Sequence, residues 1–253
     1  MTQLLEGKNA IIYGAGGRIG SGLSRTFARE GATVFLVGRT ESTLRTVADQ
    51  VAADGGRAHV AVVDALDERA VEDHVRSVAN QAGRIDVSVN LTSRGDVQGT
   101  RLLDMSLDDF LHPTTVGLRS NFITARAAAR HMVEHGSGAI LMITSGSGEA
   151  WTPPEMWPMG GTGPADAATE SFMRYLASEV GPRGVRVNVL WTAGVVLEND
   201  PLNAAKDMLV AISMLRKRPT IQEFADTAAF VASDRGSGIT ASVINVNSGI
   251  SAR

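Results

Sequence analysis

The stretch Tyr13-Gly14-Ala15-Gly16-Gly17-Arg18-Ile19-Gly20 decides the fold of this chain, because it joins an apolar run to a helical one. Residues 10–13 are typical of a short buried strand, whereas apolar side chains recur at helical spacing after the glycines. A turn without β-carbons between a strand and a helix lets backbone N–H groups approach a pyrophosphate closely. A tight turn with packing glycines would give the same cluster, but the flanking strand and helix favour dinucleotide binding.

The end of the second predicted strand indicates which dinucleotide binds. Residues 33–37 are rich in β-forming side chains and run into Gly38-Arg39. An NAD-selective site places a carboxylate here to hold the ribose 2′-hydroxyl, and no acid stands at this point. Arg39, together with Arg18, is placed to bind a 2′-phosphate. The sequence therefore predicts NADP(H) rather than NAD(H), with a solvated arginine at the start of the next helix as the alternative.

Length and composition exclude several classes of protein. At 253 residues, with no linker or repeat, the chain is predicted to form a single domain over residues 1–253. A net charge of −3 gives no electrostatic footprint for nucleic acid or an anionic membrane. The N-terminus lacks a signal-peptide pattern and no apolar run approaches a membrane span, so we expect a cytoplasmic protein. The absence of cysteine excludes disulfides and thiolate sites, and the histidines show no metal-ligand spacing, so no metal is expected.

Short apolar runs alternate with amphipathic segments along the chain. Strands are predicted at 10–13, 33–37, 58–63, 85–90, 139–144, 185–190 and 242–246. Helices are predicted after the glycine turn and at 42–53, 68–80, 106–110, 116–134, 164–180 and 221–233, with a loop at 146–163 and a variable substrate-loop segment at 196–218. Nearly continuous apolar strands are typical of a parallel sheet buried on both faces. The order predicts an α/β fold, a three-layer, doubly wound, Rossmann-type sheet of about seven strands.

Several motifs together make the whole chain resemble the short-chain dehydrogenase/reductase superfamily. Besides the glycine turn they are Asp64, Ile85-Asp86-Val87-Ser88-Val89-Asn90, Ile143-Thr144-Ser145, Val185-Arg186-Val187-Asn188 and Ile244-Asn245-Val246-Asn247-Ser248-Gly249. The resemblance implies a nicotinamide-dinucleotide site, hydride transfer to or from a small carbonyl or alcohol substrate, and a homodimer or homotetramer. The residues expected at the coenzyme are Gly14, Gly16, Gly17, Arg18, Ile19, Gly20, Arg39, Asp64, Ala65 and Asn90.

The chain departs from the family where the chemistry takes place. The family uses a tyrosine as acid and base, a lysine four residues later, a serine and an asparagine. Alignment on Glu170-Ser171-Phe172 puts Thr162 at the tyrosine position and Asp166 at the lysine position, and Gly117 falls at the asparagine position. Only Ser145 matches the pattern. The candidate catalytic residues are therefore Ser145, Thr162 and Asp166, with Arg94, His112 and Glu155 as candidate helpers.

The segment Gly160 to Asp166 has a second interpretation, as the start of a helix. Threonine or glycine suits the helix cap, proline the first helical position and aspartate the first turn. If Asp166 instead lies beside the nicotinamide, its negative charge predicts that NADP⁺ binds at least as well as NADPH.

Two functions fit the sequence. The first is an NADP(H)-dependent oxidoreductase with an atypical active site, which uses Ser145, Thr162 or a water molecule for proton transfer. The alternative is a catalytically inactive nucleotide-binding homologue that acts as a sensor, a scaffold or a partner subunit. Lyase chemistry fits less well, because the relatives that perform it lose the glycine turn and keep the tyrosine.

Two sets of apolar side chains have both a functional and a structural interpretation. The first set lines a substrate pocket or fills the core, and comprises Met156, Trp157, Met159, Met208 and Met214. The second set lies on the two helices that family members use to dimerise, or is core, and comprises Phe122, Phe172 and Met173.

Overall fold

The computed structural model describes residues 3–145, 157–196 and 204–250. Its strands form one seven-stranded sheet in the order β3-β2-β1-β4-β5-β6-β7, and every neighbouring pair is parallel. The strands are β1 (Asn9–Tyr13), β2 (Thr33–Gly38), β3 (Arg57–Val62), β4 (Val87–Asn90), β5 (Gly138–Thr144), β6 (Val185–Trp191) and β7 (Val243–Asn245). The predicted doubly wound α/β fold is confirmed.

Helices cover both faces of the sheet. They are α1 (Arg18–Arg29), α2 (Glu41–Ala53), α3 (Glu68–Ala82), α4 (Leu107–His135), α5 (Thr162–Val180), α6 (Ala204–Ile212) and α7 (Ile221–Ala232). Apolar side chains of α1, α2 and α7 pack with the sheet in one core, and those of α3, α4 and α5 pack in a second. The sheet therefore lies between two helical layers, as the apolar strands require. In the part of the chain that is described, no helix is long and apolar enough to cross a membrane.

One predicted break in the helices is wrong. The segments expected at 106–110 and 116–134 form the single helix α4, which contains Pro113. A proline inside a helix removes one backbone hydrogen bond, yet α4 continues through Pro113, which is buried. Ser106 caps this helix, since its Oγ accepts a hydrogen bond from the Asp109 N–H at 3.1 Å. The long helix carries Gly117 and Asn121 to the carboxyl ends of β4 and β5, where ligands bind in open α/β sheets.

Candidate active site

The glycine turn after β1 is as closely packed as the sequence predicts. Gly14 has a φ of +77°, and a β-carbon on it would lie 2.7 Å from the carbonyl oxygen of Leu91. A β-carbon on Gly20 would lie 2.2 Å from the carbonyl oxygen of Gly14. Gly17 is the N-cap of α1, and no side chain caps the helix. Its first-turn N–H groups have no partner within the helix, which makes this end of α1 suitable for a pyrophosphate.

Two cavities open at this turn and share part of their walls. The main cleft, of about 580 Å³, extends from the start of α1 to the end of β5. The side pocket, of about 320 Å³, lies at the ends of β2 and β3. The predicted coenzyme residues that line the main cleft are Gly14, Gly17, Arg18, Ile19, Gly20 and Asn90. Those that line the side pocket are Gly14, Gly16, Gly17, Arg39, Asp64 and Ala65.

The side pocket contains one cation and one carboxylate. Arg39 is exposed at its edge, and its guanidinium forms no ion pair with any carboxylate of the described residues. The carboxylate of Asp64 accepts a hydrogen bond from the Leu66 N–H at 3.0 Å and so stabilises its own turn. Arg18, also exposed, lies at the start of α1 beside the main cleft. The pocket therefore offers a guanidinium that is not neutralised by a carboxylate in the described part of the chain.

Asn90 holds the end of β4 against α4. Its Nδ2 donates to Asn121 Oδ1 at 2.7 Å and to Ser120 Oγ at 3.2 Å, and its Oδ1 accepts from the Thr92 N–H at 3.0 Å. Asn121 in turn donates to Thr169 Oγ1 on α5 at 3.3 Å. Both ends of the Asn90 amide are engaged, so this side chain fixes the floor of the main cleft.

A buried arginine lies at the inner end of the main cleft. Arg94 is 8% exposed, and its Nη1 lies 2.5 Å from Asp166 Oδ1. Its Nη2 donates to Ser145 Oγ at 3.1 Å. Nε and Nη2 donate to Asp96 Oδ2 at 3.3 and 3.2 Å. We name these four residues, Arg94, Asp96, Ser145 and Asp166, the Arg94 cluster.

A helix does start within Gly160 to Asp166, and its N-cap is a glycine, Gly161. The helix α5 begins at Thr162, so Pro164 is its third residue and not its first, and Asp166 lies just beyond the first turn. Both side chains are 0% exposed, and neither lines the main cleft. Asp166 pairs with Arg94, and Thr162 Oγ1 accepts a hydrogen bond from Gln98 Nε2 at 3.3 Å. The negative charge expected at Asp166 is therefore offset by the guanidinium beside it.

Gly117 gives Arg94 its space. A β-carbon on Gly117 would lie 2.7 Å from Arg94 Cδ and 3.3 Å from its Cγ. Sequence reasoning singled out both residues but did not connect them, since they are far apart along the chain. Gly117 and Asp166 thus both lie against a single side chain, Arg94.

The other candidate helpers are not brought into the cluster. His112 is exposed on α4 beside Gly95 and does not line the main cleft. Glu155 lies outside the described residues. Tyr13 is fully buried in β1, and burial raises the pKa of its phenol above the ordinary value. Tyr175 is 72% exposed on α5, so neither of the chain's two tyrosines presents a phenol to the main cleft.

A third cavity, the apolar pocket, lies beside Ser145 and has a volume of about 220 Å³. Its walls are Gln98, Ser145, Trp157, Met159, Ala193, Gly194, Met208 and Leu209. Trp157 donates from Nε1 to Gln98 Oε1 at 3.0 Å. The substrate-pocket interpretation therefore fits Trp157, Met159 and Met208, whereas Met214 is 68% exposed and Met156 lies outside the described residues. Ser145 and Gly194 line both this pocket and the main cleft.

Within the described residues, no group of three or more His, Asp or Glu side chains is arranged to hold a metal ion. The cluster instead combines a hydroxyl, a guanidinium and two carboxylates. Such a set can orient and polarise a substrate oxygen, because a hydroxyl that accepts a charge-assisted hydrogen bond becomes a stronger donor.

Known proteins match nearly the whole chain. Residues 14–251 match the family described as enoyl-(acyl carrier protein) reductase. The 3-oxoacyl-[acyl-carrier-protein] reductase FabG of Chlamydia pneumoniae is 29% identical over 99% of this chain and 99% of its own. The oxidoreductase UcpA of Escherichia coli (strain K12) is 30% identical over 93% of this chain and 91% of its own.

A solved structure agrees with these sequence matches. A short-chain dehydrogenase from Burkholderia cenocepacia J2315 in complex with NADP superposes with a TM-score of 0.85 at 26% identity, covering 98% of this chain and 100% of that one. The fold, the glycine turn and the extent of the matches lead to one conclusion: the chain belongs to the short-chain dehydrogenase/reductase superfamily, a family of nicotinamide-dependent oxidoreductases.

Proposed function

We propose that this protein is an NADP(H)-dependent oxidoreductase that acts on a carbonyl or alcohol carrying a small apolar substituent. The observation that carries the proposal is the position of Ser145, which lines both the main cleft and the apolar pocket. A nucleotide in the cleft and an apolar group in the pocket would meet at this hydroxyl. The coenzyme supplies the hydride, and the chain supplies binding, orientation and electrostatics.

The two nucleotide cavities support NADP(H) over NAD(H). The start of α1 would hold the pyrophosphate, and Arg39 would bind a 2′-phosphate at the side pocket. Asp64 lines the same pocket, and one of its carboxylate oxygens accepts a hydrogen bond from the Leu66 N–H within its own turn. The related dehydrogenase from Burkholderia cenocepacia was solved with NADP.

Ser145 is the residue we place at the substrate oxygen. Its Oγ accepts from Arg94 Nη2, so its own O–H is left to donate to a carbonyl oxygen. A guanidinium is a hydrogen-bond donor and is not deprotonated in proteins, so Arg94 serves to orient the Ser145 hydroxyl. The proton that completes an alcohol therefore comes from water, relayed through the Ser145 hydroxyl.

Asp166 and Thr162 act in this proposal through other side chains. Asp166 is a positioning residue, since its carboxylate holds the guanidinium that donates to Ser145. Thr162 accepts from Gln98, whose Oε1 orients the Trp157 indole in the wall of the apolar pocket. Both roles follow from their contacts and require no exposure to the cleft.

The helices α4 and α5 are the surface through which we propose a homodimer or homotetramer forms. Phe122 on α4 is 46% exposed, with the Arg126 guanidinium 4.8 Å from its ring centroid, and Tyr175 on α5 is 72% exposed. Phe172 is partly buried against Phe122, whereas Met173 is 0% exposed and belongs to the core. Light scattering of the purified protein measures the oligomer, and a monomer at micromolar concentration would contradict this assembly.

Consumption of NADPH with a panel of aromatic aldehydes and cyclic ketones tests the proposed function. Wild-type protein is expected to oxidise NADPH with at least one member, and Ser145→Ala is expected to lose on the order of 100-fold in kcat. The affinity of Ser145→Ala for NADP⁺ should stay unchanged. A wild-type protein that binds NADP⁺ but consumes no NADPH with any carbonyl would instead support the nucleotide-binding homologue without redox activity.

A further inference from the structure

The charge of the Arg94 cluster is placed where hydride transfer would occur. We propose that this cluster makes the protein bind the oxidised coenzyme more tightly than the reduced one, and so shifts the equilibrium of the bound reactants toward reduction. The inference rests on the proposed NADP(H) site and adds to it a preference for one redox form of the coenzyme.

The position follows from the shared walls of two cavities. The reacting carbon must lie between the nucleotide in the main cleft and the substituent in the apolar pocket, and therefore beside Ser145. Arg94 Nη2 is 3.1 Å from Ser145 Oγ, and Asp96 Oδ1 is 3.1 Å from the same nitrogen. Arg94 and Asp96 both line the main cleft. The charges thus lie one side chain away from the reacting position.

The sum of these charges is negative. One guanidinium faces two carboxylates, Asp96 and Asp166, which gives a formal charge of −1. Arg94 is 8% and Asp166 0% exposed, so water screens them poorly. Of the two carboxylates, Asp96 lines the main cleft and Asp166 does not, so Asp96 is the carboxylate that faces a nucleotide bound there.

A negative charge at this position distinguishes the two redox forms of the coenzyme. The oxidised nicotinamide ring carries a positive charge that the reduced ring lacks, so a net anionic cluster attracts the oxidised form more strongly. In the reduction, the carbonyl carbon gains a hydride and the carbonyl oxygen gains a proton from water through Ser145. The products are the alcohol and the oxidised ring. By linkage, the equilibrium constant for reduction on the protein is larger than that in solution by the ratio of the NADP⁺ affinity to the NADPH affinity.

Isothermal titration of NADP⁺ and NADPH against a series of charge variants tests the proposal without a substrate. The measured quantity is the Kd for NADPH divided by the Kd for NADP⁺. Asp96→Asn and Asp166→Asn each bring the cluster to a formal charge of 0, Arg94→Met brings it to −2, and the double variant Arg94→Met/Asp166→Asn returns it to −1. Glu170→Gln is the matched control. Glu170 lies on α5, as Asp166 does, is 3% exposed, pairs with Arg174 and lines none of the three cavities.

The expected ratio is about ten for the wild type, with a fall toward one in Asp96→Asn and Asp166→Asn. It should rise several-fold in Arg94→Met, and it should keep the wild-type value in the double variant and in Glu170→Gln. Asp96→Asn retains the buried Arg94–Asp166 pair, so it decides the question even if Arg94→Met fails to fold.

The results that overturn the proposal are distinct from a failure of the proposed function. A wild-type protein that binds NADPH at least as tightly as NADP⁺ overturns it, as does a ratio that stays constant across the charge series. If the wild type binds neither coenzyme, the nucleotide site itself is refuted, and the inference about its redox preference is refuted with it.

Discussion

Gly117 and Arg94 are complementary: a β-carbon at position 117 would lie 2.7 Å from Arg94 Cδ, so the glycine on α4 leaves the space that the arginine side chain fills. From that space the guanidinium reaches Asp166 on α5 and Ser145 at the end of β5. Gly117 and Asp166 therefore both serve one side chain, which is buried at the inner end of the main cleft.

Gly117→Ala tests this complementarity by the sign of its effect on stability. Helix propensity alone predicts a gain of about 1 kcal/mol, because alanine replaces a glycine inside α4. The clash with the anchored Arg94 side chain predicts a net loss of about 1–3 kcal/mol. Urea unfolding of the two proteins measures the difference. In an Arg94→Ala background the same substitution should become neutral or stabilising, and a stabilisation in both backgrounds would refute the steric relationship.

Arg94→Met should be among the most destabilising substitutions in the protein. It leaves the fully buried Asp166 carboxylate without its guanidinium, which typically costs about 3–5 kcal/mol. The double variant Arg94→Met/Asp166→Asn should recover most of that loss, since the fully buried carboxylate is then replaced by a neutral amide. Thermal or urea unfolding provides the values. Equal losses in the single and the double variant would mean that the ion pair does not couple the two residues.

Arg39→Ala should weaken NADP⁺ binding selectively. A guanidinium at a 2′-phosphate contributes a charge-assisted interaction of about 1.5–3 kcal/mol, which corresponds to a loss of about tenfold or more in affinity. The affinity for NAD⁺, which has no such phosphate, should change little. Arg45→Ala is the control, because Arg45 lies on α2 and pairs with Glu41 outside the side pocket. Equal effects of Arg39→Ala on the two coenzymes would argue against 2′-phosphate recognition.

His74 on α3 should make stability fall in mildly acidic solution. Burial lowers the pKa of its imidazole from 6.5 to about 4, and its Nδ1 has no hydrogen-bond partner among the residues that the structure describes. Below pH 6.5 the unfolded chain takes up a proton that the folded chain refuses until about pH 4, so stability is lost across this window as the pH falls. The contribution at pH 5 is about 1–2 kcal/mol.

His74→Gln should flatten this pH dependence, because glutamine does not titrate. Urea unfolding of wild type and variant at pH 7.5 and 5 gives the comparison. If the two proteins lose the same free energy of unfolding between these pH values, His74 is not the group responsible.

The sheet and its glycine turn were predictable from the sequence because their signals are local. An apolar run followed by Gly14, Gly17 and Gly20 specifies a strand, a close turn and a helix within about a dozen residues. The observed strand ends differ from the predicted ones by one or two residues. The helix break expected near Pro113 did not occur, because a single lost hydrogen bond does not end a well-packed helix. The residues that line the cavities at the turn follow from this topology.

The arrangement at the other end of the cleft was not predictable, because it depends on contacts between distant segments. The residues around Arg94 do not indicate that its guanidinium pairs with Asp166 on α5, 72 residues later in the chain. Likewise, local rules at Gly160 to Asp166 predict a helix start, whereas burial and the ion pair decide where Asp166 points. Opposite charges that follow β4 and begin α5, two segments that the predicted topology brings to the same edge of the sheet, are the signal that would have connected them.

The most direct measurement is the electron density of a crystal grown with saturating NADP⁺. We expect the pyrophosphate at the first turn of α1, the 2′-phosphate beside Arg39, and the nicotinamide next to Ser145 and the Arg94 cluster. A main cleft without nucleotide density under these conditions, or a nicotinamide directed away from Ser145, would contradict the proposed oxidoreductase.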